Sequence, residues 1–358
     1  VVAPDDPLVL GAVDALEDAG IPCFGPRANA AIIEGSKIFA KELMRKYHIP
    51  TADYAAFTDL QAALDHLDTA PIPTVVKADG LALGKGVVIA QTRQEARDAV
   101  RAMMEERIFG ESGSSVVIEE FLTGPEVSVL AFTDGVSLVP MVSSMDHKRI
   151  GDGDQGPNTG GMGAVAPNPY YTDAVARTCM DTIFLPTIRA MAAEGRPFQG
   201  CLYFGLMLTE RGPRVIEYNC RFGDPETQVV LPLLEGDLLD IMLRVSRGTL
   251  DQAKVSFRDG HACCVVLASE GYPKAYETGF PISVPALPGH TRVYVAGARL
   301  QDGGMVTSGG RVLGVTAVAA TLEDAIGRAY TAADAIQFSG AYCRRDIGGQ
   351  ALSAGKEG

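Results

Sequence analysis

Apolar residues recur at helical spacing from Pro7 to Gly20, through Leu8, Val9, Ala12, Val13 and Leu16, and Gly20 stops the run. With an apolar start at Val1-Val2 and a short Pro22-Cys-Phe-Gly-Pro26 exit, residues 1 to about 32 read as strand, helix, short strand. A second helical pattern covers Gly35 to Tyr47, and Ile49-Pro50 ends it. The texture then changes. Thr74–Lys77, Gly86–Ala90, Ser115–Glu119 and Val127–Ala131 are β-branched runs separated by a helical pattern near Arg93–Glu106, which predicts an α+β unit with antiparallel hairpins. A Gly-rich tract, Gly151 to Gly163, precedes a long helical pattern from Thr172 to Ala193 that should bend at Pro186. Cys201–Thr209 and Arg214–Cys220 read as a hairpin around Glu210-Arg-Gly212, followed by a helix over Gln228–Ser246. From about Phe257, short strands with Gly- and Pro-rich turns lead to a last helix near Leu322–Ile336, and Gly355–Gly358 reads as a frayed tail.

The chain of 358 residues is 47% hydrophobic, enough for two or three domains. A net charge of −13 argues against nucleic acid or an anionic membrane as a bulk partner, while leaving room for a small anion held by a local cluster of Lys and Arg. No apolar run reaches the ~20 residues of a bilayer crossing. The seven cysteines are odd in number and form no C-x-x-C pair. Most lie in apolar surroundings, as reduced core cysteines do, which points to the cytoplasm. Five scattered histidines do not suggest zinc. The chain opens on Val inside what reads as a strand, so it is expected to begin within a domain.

The chemistry concentrates in Arg214–Glu226. Glu217 and Asn219 are two apart on a strand, so both side chains leave one face. A carboxylate and an amide oxygen aimed together make a hard-oxygen site, suited to Mg²⁺ or Mn²⁺ carrying phosphates. Arg221 adds a fork-shaped cation for a carboxylate or phosphate. Asp79–Gly86, between two strands, can bring backbone N–H groups to phosphate oxygens, with Lys85 as a point charge; its spacing is not that of a Walker A loop. Lys77 follows two valines expected to be buried, and a buried ammonium needs an anionic partner. Ile118–Glu126 is an apolar strand running into acids. It could edge an adenine with its backbone and a ribose with Glu126, or it could be a strand end with solvated Glu119 and Glu120.

Taken in order, Lys37, Val75-Val76-Lys77, Gly80–Gly86, Glu119–Leu122 with Glu126, and Glu217-x-Asn219 resemble the ATP-grasp ligases. Gly35-Ser-Lys37, Lys77–Gly86, Asp146-His-Lys-Arg149, Gly156–Gly163, Arg221–Glu226 and Gly309–Leu313 are similar to one family among them, the phosphoribosylamine–glycine ligases, and the likeness runs through the whole chain. It implies a multidomain α/β and α+β protein. A remnant of an N-terminal α/β domain (1–33) would precede an ATP-grasp core (34–256) with a lid subdomain (about 74–131). A β-rich C-terminal domain (257–350) and a tail (351–358) would follow.

The resemblance implies ATP and Mg²⁺ or Mn²⁺, with glycine and 5-phosphoribosylamine as substrates of a monomeric enzyme. Lys37 and Lys77 would hold the ATP phosphates under the loop carrying Gly84, Lys85 and Gly86. Glu119, Glu120, Phe121 and Leu122 would line the adenine slot, and Glu126 the ribose. Glu217 and Asn219 would be the metal ligands. His147, Lys148, Arg149, Asn158, Thr159, Gly160, Gly161, Asp224 and Glu226 would shape the substrate pocket, and Lys77, Arg221 and Asp146 are the candidate catalytic residues. In the family a complete N-terminal domain helps bind the phosphoribosyl group, so that part of the site is expected to be incomplete here. Two other readings are a different carboxylate-activating ATP-grasp ligase and a non-catalytic nucleotide-sensing module. The Asp146–Arg149 and Gly156–Gly163 strings weigh against the first, and the kept metal pair against the second.

Overall fold

A computed structural model describes residues 3–82 and 86–354. They form two compact units, both discontinuous in sequence. The first holds residues up to Pro140, Thr172–Phe222 and Asp237–Lys254; the second holds Met141–Tyr171, Gly223–Gly236 and Val255 onward. Two stretches inside the 34–256 range therefore cluster with the C-terminal strands.

In the first unit, four antiparallel strands stand in the order Tyr54–Phe57, Val116–Glu120, Thr74–Ala78, Val87–Ala90. Helices Leu60–Leu67 and Arg93–Met104 bury Leu64, Leu67, Val100 and Met103 against Val76, Ala78, Val116 and Ile118. Side chains alternate along a strand, so this packing turns Lys77 and Glu119 to the opposite face. A second antiparallel sheet runs Gly212–Asn219, Gly200–Thr209, Glu126–Thr133, Leu138–Pro140, and its hairpin is the one expected from the pattern.

The N-terminal reading needs correction. Gly11, at φ +90°, splits the expected helix into Asp5–Val9 and Ala12–Asp18. No strand forms over Pro22–Pro26, and a helix covers Ala28–Gly35 instead. The expected first strand, at Val1-Val2, lies outside the described residues. Further on, the long helix is interrupted as expected: a π-helical turn, Met180–Phe184, separates Asp173–Cys179 from Leu185–Ala193, which has Pro186 in its first turn. The predicted helix over Gln228–Ser246 is broken between Val230 and Asp237, where Pro232 and Gly236 fall. Asp237 then caps a new helix, Leu238–Ser246, by accepting from the Leu239 and Asp240 N–H groups.

The second unit is built on a sheet ordered Thr291–Val295, Arg311–Ala319, His261–Ser269, Gly163–Ala166, Met145–Asp146, with Ala341–Tyr342 also pairing His261–Ser269. Helix Leu322–Ala335 covers it with Ala325, Ala329, Ala332 and Ala333. Its two central strands are nine residues long, not short; both run through the core, so they lack the polar alternation that marks a strand with one wet face.

Candidate functional site

The first unit gathers three buried or half-buried lysines. Lys37 opens the helix Lys37–Lys46, whose start is tied to the end of the Thr74–Ala78 strand. The Asp79 carboxylate accepts from the Ile38 N–H (2.7 Å) and the Ser36 hydroxyl (2.9 Å), and the Asp79 carbonyl accepts from the Lys37 N–H (2.9 Å). That anchor sets Lys37 beside Lys77. Lys37 Nζ donates to the Gly80 carbonyl at 3.0 Å. Burial, and then the Lys77 ammonium, lowers the Lys37 pKa, with Glu217 and Asp79 opposing. Lys77 Nζ lies 3.0 Å from Glu119 Oε1 and donates to the Ile216 carbonyl at 2.9 Å, one residue before Glu217.

Glu119 is a buried carboxylate shared by two lysines, not a solvated acid. Its other oxygen, Oε2, is 3.1 Å from Lys41 Nζ, a residue the sequence reading missed. Glu120 is also engaged: it accepts from Arg211 (2.7 and 2.8 Å) and from the Asp53 N–H (3.0 Å). Beyond the strand, Phe121 is partly exposed and Leu122 buried, while Glu126 is exposed at the start of its strand, opposite Met207. Gly86 is buried, and its carbonyl accepts from the Ala78 N–H at 2.9 Å; Gly84 and Lys85 lie outside the described residues.

Glu217 and Asn219 leave one face of the Gly212–Asn219 strand, opposite Gly205 and Tyr203 respectively. A Cβ on Gly205 would stand 2.8 Å from Glu217 Cγ, so the missing side chain is what lets Glu217 lie where it does. Among the described residues no group of three or more His, Cys, Asp or Glu could hold a metal. Two hard oxygens on one strand face suit a cation that draws its remaining ligands from phosphates and water. Arg221 donates to Asn219 Oδ1 at 3.3 Å and lies 3.5 Å from Glu34 Oε1. The other Glu34 oxygen accepts from the Cys220 N–H (2.7 Å) and thiol (2.9 Å). Burial raises the Glu34 pKa against the pull of Arg221. Burial, reinforced by Glu34, pushes the Cys220 thiol far up, so it is a structural donor and not a nucleophile.

In the second unit the glycine tract and the Asp224 turn are held together by Arg311, also missed as a site residue. Its guanidinium donates to the carbonyls of Gly160 (2.6 Å) and Asp224 (2.8 Å) and to Asp224 Oδ2 (3.0 Å). Gly161 has φ +109°, and a Cβ there would overlap Pro225 and lie 2.8 Å from Asp146 Oδ1. Asp146 therefore faces the tract directly. Thr159 folds the tract back by donating from its N–H and its hydroxyl to the Lys148 carbonyl, both at 2.8 Å. His147 is buried. Its Nε2 accepts from the Gly348 N–H (3.1 Å), which leaves the ring proton on Nδ1, facing the Gly163 carbonyl at 3.3 Å. Burial, then Arg344, lowers its pKa and keeps it neutral. Arg149 pairs with Asn158 across a short hairpin and donates to the Gly156 carbonyl at 2.8 Å. Glu226 is buried beneath Gly223, where a Cβ would meet its carboxylate at 2.6 Å.

The lysine cluster and the carboxylate–amide pair on the hairpin strand both fall within residues 35–227, which a model of the ATP-grasp (A) domain of phosphoribosylglycinamide synthetase matches. Models of the N and C domains of the same synthetase match residues 1–34 and 262–350. The chain belongs to the phosphoribosylamine–glycine ligase family. It is 49% identical over 356 residues to the phosphoribosylamine–glycine ligase of Chlorobaculum tepidum, covering 98% of this chain and 84% of the relative. To the Vibrio cholerae relative it is 48% identical over 358 residues, 99% of this chain and 83% of that one. A crystal structure of phosphoribosylamine–glycine ligase from Thermotoga maritima is similar at TM-score 0.83 and 39% identity, over 90% of this chain and 81% of that chain. A biotin carboxylase from Campylobacter jejuni shares the fold at TM-score 0.73 and 17% identity, over 92% of this chain and 72% of that one.

Proposed function

We propose that this chain joins glycine to 5-phosphoribosylamine with ATP, giving glycinamide ribonucleotide, ADP and phosphate. The observation that carries the reading is the placement of Lys37 and Lys77 beside the strand bearing Glu217 and Asn219, with Arg221 just past its end, in a chain whose residues 1–34, 35–227 and 262–350 match the family's three domain models.

A glycine carboxylate cannot accept an amine directly, because oxide is too poor a leaving group. A carboxylate oxygen of glycine therefore attacks the γ-phosphorus of ATP, the bond to ADP breaks, and glycyl phosphate forms. The amine of phosphoribosylamine then attacks the acyl carbon, loses a proton and expels phosphate. Such chemistry asks the protein to position reactants and neutralise charge. Lys37 and Lys77 are assigned to the ATP phosphates, and the Gly80–Gly86 segment is assigned to covering them. The backbone at Glu120–Leu122 is assigned to adenine and Glu126 to ribose. Glu217 and Asn219 would hold a divalent cation, Mg²⁺ or Mn²⁺, which neutralises phosphate charge when bound.

Arg221 is assigned to the glycine carboxylate. Asp146, Lys148, Arg149, Asn158, Thr159, Gly160, Gly161, Asp224 and Glu226 are assigned to shaping the pocket for glycine and phosphoribosylamine. For His147 we substitute a positioning role, since both its ring nitrogens are spent on backbone groups. The seven free cysteines suit a reducing cytoplasm, and among the described residues no helix is long and apolar enough to cross a membrane.

The test is ADP formation by the purified protein with Mg²⁺, glycine and freshly made phosphoribosylamine. ADP that requires both substrates, and falls by orders of magnitude in Lys77→Ala, is the expected result. Nucleotide binding without turnover under all substrate combinations would refute it.

A further inference from the structure

Lys41 has almost no surface to offer a ligand, at 2% exposed, yet it sits one carboxylate away from Lys77. Its ammonium lies 3.1 Å from Glu119 Oε2, donates to the Thr51 hydroxyl at 2.8 Å, and stands 5.4 Å from the centre of the Tyr54 ring. The Thr51 hydroxyl donates in turn to the Val215 carbonyl at 2.7 Å. Lys77 donates to the next carbonyl, that of Ile216. The two lysines thus reach consecutive carbonyls of the strand that carries Glu217, one directly and one through a hydroxyl, and each holds one oxygen of Glu119.

That division of labour matters because Glu119 is buried. Without Lys41, Oε2 would be a buried charge left to Lys77, the other lysine paired with Glu119 among the described residues. The Lys77 ammonium would be drawn onto the carboxylate, and less of its charge would face an incoming phosphate. We propose that Lys41 is a positioning residue for the phosphate-binding lysine: acting through Glu119, it fixes where the Lys77 ammonium points and leaves its charge free for the nucleotide. Burial, opposed by Glu119 and reinforced by Lys77, brings the Lys41 pKa down to about 8, as strong desolvation at this position requires. The inference rests on reading Lys77 as a ligand of the ATP phosphates.

The experiment compares wild type, Lys41→Met, Lys41→Met/Glu119→Gln and Lys77→Ala in the full chain. ATP affinity is measured by titration with Mg²⁺ present, folding by thermal midpoint, and KM for ATP and glycine separately. Lys41→Met is expected to weaken ATP binding by about 10- to 100-fold, the usual effect of losing the partner that orients a liganding group, with little change in KM for glycine. Neutralising Glu119 removes the competitor, so the double variant is expected to bind ATP more tightly than Lys41→Met. Unchanged ATP affinity in a folded Lys41→Met, or a double variant no better than the single, overturns the inference. If Lys41→Met does not fold, the double variant decides, because it keeps the net charge of the buried triad. Affinity within about tenfold of wild type supports the inference, and a loss as large as that of Lys77→Ala overturns it. If Lys77→Ala itself binds ATP normally, the reading of Lys77 fails instead.

Discussion

Gly205→Ala separates the position of Glu217 from the stability of the sheet. Gly205 sits in the Gly200–Thr209 strand directly opposite Glu217, next to a bulge between Gly205 and Leu206. Its φ is negative or extended, so alanine can adopt the backbone. The new Cβ would stand 2.8 Å from Glu217 Cγ and 3.4 Å from Ile216 Cγ1 and Tyr203 Cε1. The last two are ordinary contacts. The first is about 0.6 Å too close, and Cγ is not a free side-chain end, so the Glu217 side chain must move as a whole. The stability change should be small. Restricting the unfolded chain stabilises by about 0.4–1 kcal/mol, and the local crowding offsets a similar amount. Function should not be spared, since a misplacement approaching 1 Å at a reacting centre costs about 10²-fold. We expect turnover to fall by about 10- to 100-fold and the Mg²⁺ requirement to rise, with the thermal midpoint within about 4 °C of wild type. Turnover and metal titration are measured at saturating ATP and glycine, beside a melting curve. Unchanged turnover and metal dependence in Gly205→Ala would refute the placement of the cation at Glu217. A large drop in melting temperature would refute the claim that the glycine serves the site and not the sheet.

Gly161→Ala forces a side chain into a backbone region that favours glycine and into Pro225, so its thermal midpoint should fall by several degrees while ATP affinity, carried by the other unit, stays within about twofold. Against the upward push of partial burial, the bidentate Arg344 hydrogen bonds hold Asp346 down to about 2. A depressed carboxylate adds stability above its unfolded pKa and loses it as pH falls through the folded value. Unfolding free energies from urea titration of wild type and Asp346→Asn should therefore differ by about 1 kcal/mol at pH 6, after discounting for exposure, and converge from about pH 4 toward 2. Cys220, 1% exposed and with its thiol bound to Glu34, should resist iodoacetamide in the native protein and react once unfolded, as read by peptide mass spectrometry.

What could be read in advance follows from how local each signal is. Lys77 announces itself because an ammonium after Val75-Val76 must be buried and paired. Lys41 obeys the same logic on a helix, but a lysine there reads as a solvent-facing residue until the burial of its neighbours Ala40, Leu43 and Met44 is known. Glu34 touches Cys220 across 186 positions, and Arg311 reaches Asp224 across 87; no spacing rule reaches that far. The Gly163–Ala166 strand was hidden at the end of a glycine tract whose composition reads as loop. His147 stands in the Asp146–Arg149 string, which the family resemblance assigns to the substrate pocket, yet the fold buries its side chain.

Buried charges are costly, so their arrangement says what they are for. Replacing the Lys41–Glu119–Lys77 triad with apolar residues of similar volume would cost the fold little, as buried ion pairs go, and stability alone does not explain keeping it. The triad has one more positive than negative charge, while Lys37 beside it is opposed by Glu217 and Asp79. The triad's own excess suits an anion even in a protein of net charge −13. The carboxylates divide accordingly. Glu119 pairs with the lysines, Glu34 with Cys220 and Arg221, and Glu217 lies near Lys37, over a glycine on the strand face it shares with Asn219. Under the proposed function, the lysines would supply fixed cations for the phosphates and Glu217 with Asn219 a hard-oxygen pair for a metal, as a phosphoryl transfer to a carboxylate needs. Cys220 beside Arg221 has its thiol held by Glu34 and suppressed by burial, so it offers no thiolate to divert an acyl phosphate.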